Sequence, residues 1–149
     1  AERGKLKARR LINAPEGVRR LQDPEADVTV EVKFSSLNYK DGMILAGQHG
    51  VCRSFPIVPG IDAAGLVQSV DTSSLQALEA SGLGLDEEMK RSLSFEPGEE
   101  VVLTGNKIGQ YFDGGYSQWL RCQAGWLVKR PEVFTLEQCM ALGTAGVTA

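Results

Sequence analysis

The sequence has little of the chemistry that metal sites and disulfide frameworks need. Its 149 residues contain three cysteines and one histidine, and no two cysteines form a Cys-x-x-Cys pair. A tetrahedral zinc site would need thiolate and imidazole ligands that this chain can barely supply. The three cysteines, Cys52, Cys122 and Cys139, are widely spaced. They predict reduced thiols in a cytoplasmic protein.

Long apolar runs and a strong excess of one charge are also absent. No run approaches the ~18 apolar residues of a membrane-spanning helix, and no secretory signal is visible. The formal net charge is -3, with acidic and basic residues interspersed. The one dense basic run, residues 4–10, is interpreted as a solvated strand edge. We therefore expect neither a nucleic acid nor a membrane as a partner.

Short alternating segments make up much of the sequence that is present. Residues 28–37 alternate apolar and polar side chains with a period of two, which predicts a strand with one buried face. Further short strand regions follow, punctuated by glycine and proline, in residues 57–70, 97–105, 114–123 and 125–131. Many short strands with such punctuation are typical of a β-barrel or sandwich.

Two segments predict helices instead. Residues 71–96 are acidic and rich in serine, and Ser74 and Asp86 can each cap a short helical stretch. We interpret this segment as a helical excursion at the surface. Thr135 and Gln138 have the spacing of a capping box, and the small residues after them predict a closely packed helix. The chain stops inside this helix and begins without methionine, so we expect it to be cut from a longer protein.

Five motifs, taken in order, resemble those of medium-chain dehydrogenase/reductases. They are SSLNYKDGMILAG, FPIVPGIDAAGLV, PGEEVVLTG, DGGYSQW and MALGTAGVTA. The sequence is most similar to the zinc-independent quinone oxidoreductase branch and, within it, to the acrylyl-CoA reductase-like group. The resemblance runs from about residue 28 to residue 149, apart from the long segment 71–96.

The resemblance implies a mainly β fold with short helices, a GroES-like β-barrel, in residues 1–134. Residues 135–149 would begin the helix that leads to a Rossmann domain, and no Gly-x-Gly-x-x-Gly cradle for a pyrophosphate occurs in the chain. The resemblance further implies NADPH as the cofactor, an enone, acyl-CoA or quinone as the substrate, and a homodimeric whole protein. We expect little or no turnover from the 149 residues alone.

Two positions separate this sequence from the zinc-dependent members of the superfamily that it resembles. Those members have a cysteine where Asn38 stands and a histidine where Ile61 stands. An amide and an aliphatic side chain cannot replace a thiolate and an imidazole as zinc ligands. The sequence therefore predicts an enzyme without zinc or any other metal.

Without a metal, hydrogen-bond donors must polarise the substrate carbonyl. The resemblance makes Tyr39, Asp41 and Asp62 the candidate catalytic residues. Tyr39 would donate a proton or a hydrogen bond, Asp41 would orient Tyr39 or Lys40, and Asp62 would line the same cleft. Asn38 and Lys40 are the candidate contacts to the substrate or the nicotinamide. The cofactor itself would supply the hydride.

Each of these assignments has a structural alternative that the sequence leaves open. Asn38 would satisfy the backbone of its own turn, and Lys40 would be a solvated charge. Tyr39 would be a core aromatic residue, and Asp41 would cap a short helix. Asp62 is harder to explain in this way, because a buried carboxylate in an apolar strand region needs a partner.

Thr144 and Thr148 are the candidate cofactor contacts within the chain. They lie in the predicted closing helix, which approaches the nicotinamide ribose in the family that the sequence resembles. Close helix packing would explain these small residues equally well.

A second hypothesis gives the chain no catalytic role. A GroES-like binding module could use residues 71–96 as its interaction surface. The candidate contact residues would then be Leu75, Leu78, Met89 and Leu93.

Overall fold

The computed structural model describes residues 23–48, 50–52, 55–71 and 94–149 of the chain. The basic run 4–10 and nearly all of the segment 71–96 lie outside the described residues, as do the four candidate contact residues of the binding-module hypothesis. Within the described ranges, no helix combines the length and the apolar character needed to cross a bilayer.

Five strands and two α-helices occupy the described residues. The strands are β1 (Val28–Phe34), β2 (Asp62–Val70), β3 (Glu100–Thr104), β4 (Trp119–Cys122) and β5 (Val128–Lys129). The helices are α1 (Tyr39–Leu45) and α2 (Leu136–Thr148), and a 3-10 helix (Ala124–Trp126) separates β4 from β5.

All five strands form one antiparallel sheet in the order β4-β1-β2-β3-β5. Val28 of β1 stands opposite Val70 of β2 on one side and Cys122 of β4 on the other. The mainly β fold that the sequence predicts is therefore confirmed. The sheet does not close into a barrel within the described residues, because no ladder joins its edge strands there. One of these, β5, has only two residues and ends just before Pro131, which cannot donate to a ladder.

The larger of two hydrophobic clusters among the described residues lies on one face of this sheet. Buried side chains alternate with less buried ones over Val28–Glu31 and along β4, as the predicted period of two requires. The alternation ends there in β1, because Val32 is only partly buried and Phe34, expected on the buried face, is 39% exposed. Burying a large aliphatic side chain contributes roughly 1.5–3 kcal/mol, so these strands supply much of the stability. The strand residues that are at most 2% exposed in this core are Val28, Val30, Ala63, Val67, Val101, Leu103, Leu120 and Cys122.

The second helix begins at the predicted capping box. The Gln138 N–H donates to the Thr135 hydroxyl oxygen at 3.2 Å, and the Thr135 N–H donates to Gln138 Oε1 at 2.9 Å. The buried side chains of Leu136 and Met140 then pack on Ala64 of β2. This contact fixes α2 against the start of β2, which positions the candidate site.

Candidate active site

Two carboxylates are completely buried where β1, β2 and α1 meet. Asp41 lies in the first turn of α1 and Asp62 opens β2, and both side chains are 0% exposed. An ionised carboxylate is costly to bury unless hydrogen bonds replace its water. Each carboxylate should therefore have several donors around it.

Asp41 takes its donors from two segments of backbone. Its Oδ1 accepts hydrogen bonds from the N–H groups of Gly60 at 3.0 Å and Ile61 at 3.1 Å. Its Oδ2 accepts from the N–H of Asn38 at 3.1 Å. Asp41 therefore helps to cap α1, which is the structural role that the sequence left open for it, and it also fixes the turn before β2.

Asp62 takes its donors from three segments that are far apart in the sequence. Its Oδ2 accepts from the Ser36 hydroxyl, from Asn38 Nδ2 at 3.0 Å and from the Thr144 N–H at 2.8 Å. Its Oδ1 accepts from the Thr144 hydroxyl at 2.6 Å. The end of β1, the start of α1 and the middle of α2 thus converge on one carboxylate.

The Asn38 side chain links the two carboxylates. It is 7% exposed, and its Nδ2 lies 3.0 Å from Asp62 Oδ2 and 3.3 Å from Asp41 Oδ2. Nδ2 also donates to the Ser36 hydroxyl oxygen at 3.0 Å. The side-chain oxygen Asn38 Oδ1 is buried at the start of α1 and accepts no hydrogen bond of normal geometry from the described residues. Both polar ends of Asn38 are turned toward the protein.

Gly143 interrupts α2 and brings Thr144 to Asp62. Its φ of 50° and ψ of -167° are not helical, and the backbone changes direction there. A Cβ at this position would lie 2.8 Å from Ser36 Oγ and 3.0 Å from Asp62 Oδ2. Only glycine combines the positive φ with this close approach. The break directs the Thr144 N–H at the carboxylate.

Thr148 lies one turn beyond the site. Its hydroxyl donates to the Thr144 carbonyl oxygen at 2.9 Å, within the same helix, and the residue is exposed. Of the two candidate cofactor contacts, the structure therefore places only Thr144 in the carboxylate cluster.

Tyr39 and Lys40 lie outside the cluster. Tyr39 is 83% exposed, so it is not a core aromatic residue, and it lines an open groove of about 440 Å³ with Leu37 and Met43. Lys40 Nζ donates to Gln110 Oε1 at 3.2 Å. The hydrogen bonds of Asp41 go to neither side chain. The catalytic role of Tyr39 and the ligand contact of Lys40 stay predictions.

Tyr116 adjoins the cluster, although the sequence patterns do not single it out. Its hydroxyl donates to the Ser36 carbonyl oxygen at 3.1 Å. Burial, followed by the negative charges of Asp41 and Asp62, raises the pKa of Tyr116 to about 12. Its one sequence signal is its place in the DGGYSQW motif, directly after two glycines.

Potential metal ligands do not gather at this site. In the described part of the chain, no three side chains of histidine, cysteine, aspartate or glutamate converge as a metal site would require. Asn38 presents its NH2 group to the carboxylates, and an amide NH2 group is a hydrogen-bond donor with no acceptor site for a metal.

Comparisons with known proteins agree with this architecture. Residues 24–132 match the alcohol dehydrogenase GroES-like domain family. Acrylyl-CoA reductase AcuI of Ruegeria pomeroyi is 44% identical over 126 residues, which are 85% of this chain and 32% of that protein. This chain therefore spans about a third of the length of the curated relatives that it matches.

Two solved structures of bacterial oxidoreductases are similar in fold and sequence. Escherichia coli YhdH with bound NADPH has a TM-score of 0.66 and 38% identity, and the match covers 84% of this chain and 32% of that one. Bacillus subtilis YhfP with bound NAD has a TM-score of 0.63 and 34% identity, with the same two coverages. The chain belongs to the alcohol dehydrogenase GroES-like domain family, within the medium-chain dehydrogenase/reductase superfamily that its motifs predict.

Proposed function

We propose that this chain is the catalytic domain of a cytoplasmic, zinc-independent reductase that uses NADPH. The reaction is hydride transfer to an activated carbon-carbon double bond, as in acrylyl-CoA or another enone, or to a quinone. The observation that carries the proposal is the 44% identity with an acrylyl-CoA reductase over 126 residues. The bound NADPH of the Escherichia coli relative supports the choice of cofactor.

The buried carboxylates suit a nicotinamide cofactor. Every hydrogen bond that reaches Asp41 or Asp62 is donated to its oxygens, which is the pattern of ionised carboxylates. No cation among the described residues pairs with either of them. A nicotinamide bound at this site would supply the hydride and would become positively charged. Asp41 and Asp62 would offer that charge a preorganised negative field.

Tyr39 is the candidate proton donor to the substrate. Hydride addition at the β-carbon leaves negative charge on the substrate carbonyl oxygen, and the α-carbon then needs a proton. The Tyr39 phenol faces an open groove and has no hydrogen bond to the described residues. It is therefore free to donate to a carbonyl oxygen or to pass its proton to the α-carbon.

Asn38 and Thr144 act by positioning the carboxylates. Asn38 bonds both Asp41 and Asp62 through one NH2 group, and Thr144 holds both oxygens of Asp62. Any direct contact of Asn38 with the substrate or nicotinamide remains a prediction. The same holds for a cofactor contact of Thr148.

The test is turnover by the whole protein that carries this chain. We expect it to consume NADPH in the presence of acrylyl-CoA, another enone or a quinone, while metal analysis finds no stoichiometric zinc. Simple aldehydes are the contrasting substrates, since zinc-type relatives reduce carbonyl groups by Lewis-acid chemistry. Inactivity toward the whole panel of enones, acyl-CoA esters and quinones would overturn the proposal, and so would a requirement for zinc.

A further inference from the structure

We infer that Tyr116 is a positioning residue of this site. By donating to the Ser36 carbonyl oxygen, it fixes the segment between β1 and α1. The Ser36 side chain in this segment bonds both Asp62 and Asn38. The catalytic part of this inference rests on the proposed function. The positioning itself can be measured without turnover.

The first observation is the connection that runs through Ser36. Its carbonyl oxygen accepts from the Tyr116 hydroxyl at 3.1 Å. The Ser36 hydroxyl donates to Asp62 Oδ2 and accepts from Asn38 Nδ2 at 3.0 Å. A shift of this backbone would therefore displace the Ser36 hydroxyl. That hydroxyl donates to Asp62 and also supports the Asn38 amide, which bonds both Asp41 and Asp62. Tyr116 holds the residue from which these contacts extend.

The second observation is that Tyr116 also packs on the turn that holds Asp41. Gly60 has a φ of 103°, and a Cβ on it would lie 2.6 Å from the Tyr116 backbone nitrogen and 2.7 Å from its ring carbon Cδ1. The Gly60 N–H donates to Asp41 Oδ1 at 3.0 Å. The backbone N–H of Tyr116 donates to the Pro59 carbonyl oxygen at 3.0 Å. One tyrosine thus braces the segments that carry both buried carboxylates.

The acidity of the phenol argues against proton transfer by Tyr116. With its pKa raised to about 12, the phenol keeps its proton throughout the neutral range. It is a permanent hydrogen-bond donor and a poor general acid, since an efficient acid has a pKa near the working pH. A fixed donor is what a positioning residue requires.

The kinetic test is a double-mutant cycle in the whole protein with Tyr116→Phe and Ser36→Ala. Tyr116→Phe keeps the ring but loses the donor, and we expect kcat to fall by roughly 10- to 100-fold while KM changes far less. In the Ser36→Ala background the same change should cost much less, because the Ser36 hydroxyl that Tyr116 positions is already missing. Additive effects of the two changes would overturn the inference.

Ser117→Ala is the matched control. The Ser117 hydroxyl lies within hydrogen-bond distance of the carbonyl oxygens of Gly114, at 2.9 Å, and Trp119, at 2.8 Å. It forms no hydrogen bond with residues 35–38. We expect kcat close to that of the unaltered protein. Replacement of Tyr116 by a fluorinated tyrosine adds a second check, because it keeps the hydroxyl but makes it more acidic. An unchanged pH profile supports positioning, and a shifted limb would identify Tyr116 as a catalytic acid.

Hydrogen exchange tests the positioning even if the protein reduces none of the substrates. The backbone N–H groups of Asn38 and Thr144 donate to Asp41 and Asp62, so their exchange reports on both carboxylate contacts. We expect Tyr116→Phe to speed exchange at both amides and Ser117→Ala to leave it unchanged. Equal exchange in all variants would overturn the inference and leave the proposed function standing. If the whole protein showed no turnover but Tyr116→Phe sped exchange as expected, the proposed function would be overturned and the positioning role of Tyr116 would stand.

Discussion

Asp62 and Thr144 are joined by two hydrogen bonds across 82 residues of sequence. The Thr144 N–H lies 2.8 Å from Asp62 Oδ2, and the Thr144 hydroxyl lies 2.6 Å from Asp62 Oδ1. These bonds tie the middle of α2 to the first residue of β2. The carboxylate therefore has two functions, since it shapes the path of the chain after Gly143 and forms part of the candidate active site.

Replacing Asp62 by asparagine tests the first of these functions. The amide would turn an NH2 group toward donors that now bond the carboxylate, and at least one buried donor would lose its acceptor. We expect the free energy of unfolding to fall by about 3 kcal/mol, measured by urea denaturation. Glu132→Gln, at an exposed carboxylate before α2, should change it by less than about 0.5 kcal/mol. Equal stabilities of the two variants would show that the buried network contributes little.

Gly143→Ala tests the need for a break in α2. A methyl group would meet Ser36 Oγ at 2.8 Å, and φ would be strained at +50°. We expect a loss of more than about 1 kcal/mol in stability and a loss of turnover, because Thr144 would move away from Asp62. Gly146→Ala in the same helix is the control, since its Cβ would approach the flexible end of Leu142.

Alanine generally stabilises a helix interior by roughly 1 kcal/mol relative to glycine. Gly146→Ala should therefore be neutral or stabilising, with turnover retained. If Gly143→Ala behaved in the same way, α2 would tolerate a straight path, and the contact between Thr144 and Asp62 would not depend on the break.

The sequence predicts the strands well because alternation is a local property. The period of two in residues 28–37 locates β1, where Val28 and Val30 are buried, but the strand ends at Phe34, which is 39% exposed. Closure of the sheet depends instead on which edges meet in space. Nothing local in the short segment before Pro131 reveals that β5 would pair with β3 alone in the described part of the chain.

Helix geometry explains why the cluster at residues 38–41 separates. Residues three apart on a helix lie on one face, whereas adjacent residues point about 100° apart. Asn38 precedes α1 as its N-cap and is held beside the inward-facing Asp41 by hydrogen bonds, whereas Tyr39 and Lys40 lie on other faces of the helix. A sequence motif shows that four polar residues are adjacent. That Asn38 and Asp41 are buried, Tyr39 exposed and Lys40 half-buried follows only once α1 is known to begin at Tyr39.

Tyr116 illustrates the limit of sequence patterns at this site. Its hydroxyl bonds Ser36 across 80 residues of sequence, and its own segment reads as an ordinary alternating stretch. Only the fold shows that burial raises the pKa of this tyrosine and that it lies close enough to Asp41 and Asp62 for their charges to raise it further.

Tyr39→Phe tests the proposed proton donor. The side chain is 83% exposed and no hydrogen bond to the described residues is lost, so stability should stay within about 0.5 kcal/mol. Loss of a general acid typically lowers kcat by roughly 10²- to 10⁴-fold, which steady-state kinetics with an enone would reveal. Tyr111→Phe, at another exposed tyrosine, is the control and should keep full turnover. Full turnover by Tyr39→Phe would mean that water or another group, and not Tyr39, protonates the substrate.

The raised pKa of Tyr116 predicts a specific loss of stability in alkali. The pKa of Tyr116 in the folded protein is about 12, against an ordinary tyrosine value of 10.0, because burial and then the charges of Asp41 and Asp62 disfavour the phenolate. The folded state therefore holds this proton more tightly, and the resulting stability is fully present below the unfolded pKa. It is lost as the pH rises toward the folded value.

Urea denaturation across alkaline pH measures this effect in the unaltered protein and in Tyr116→Phe. The unaltered protein should lose stability more steeply between about pH 10 and pH 12, the interval set by the two pKa values. The difference between the two proteins should be constant below that interval, since Tyr116 is protonated in both states there. Parallel stability curves through the whole alkaline range would mean that Tyr116 ionises as readily in the folded protein as in the unfolded chain. Its hydroxyl would then not be held in the buried site beside Asp41 and Asp62.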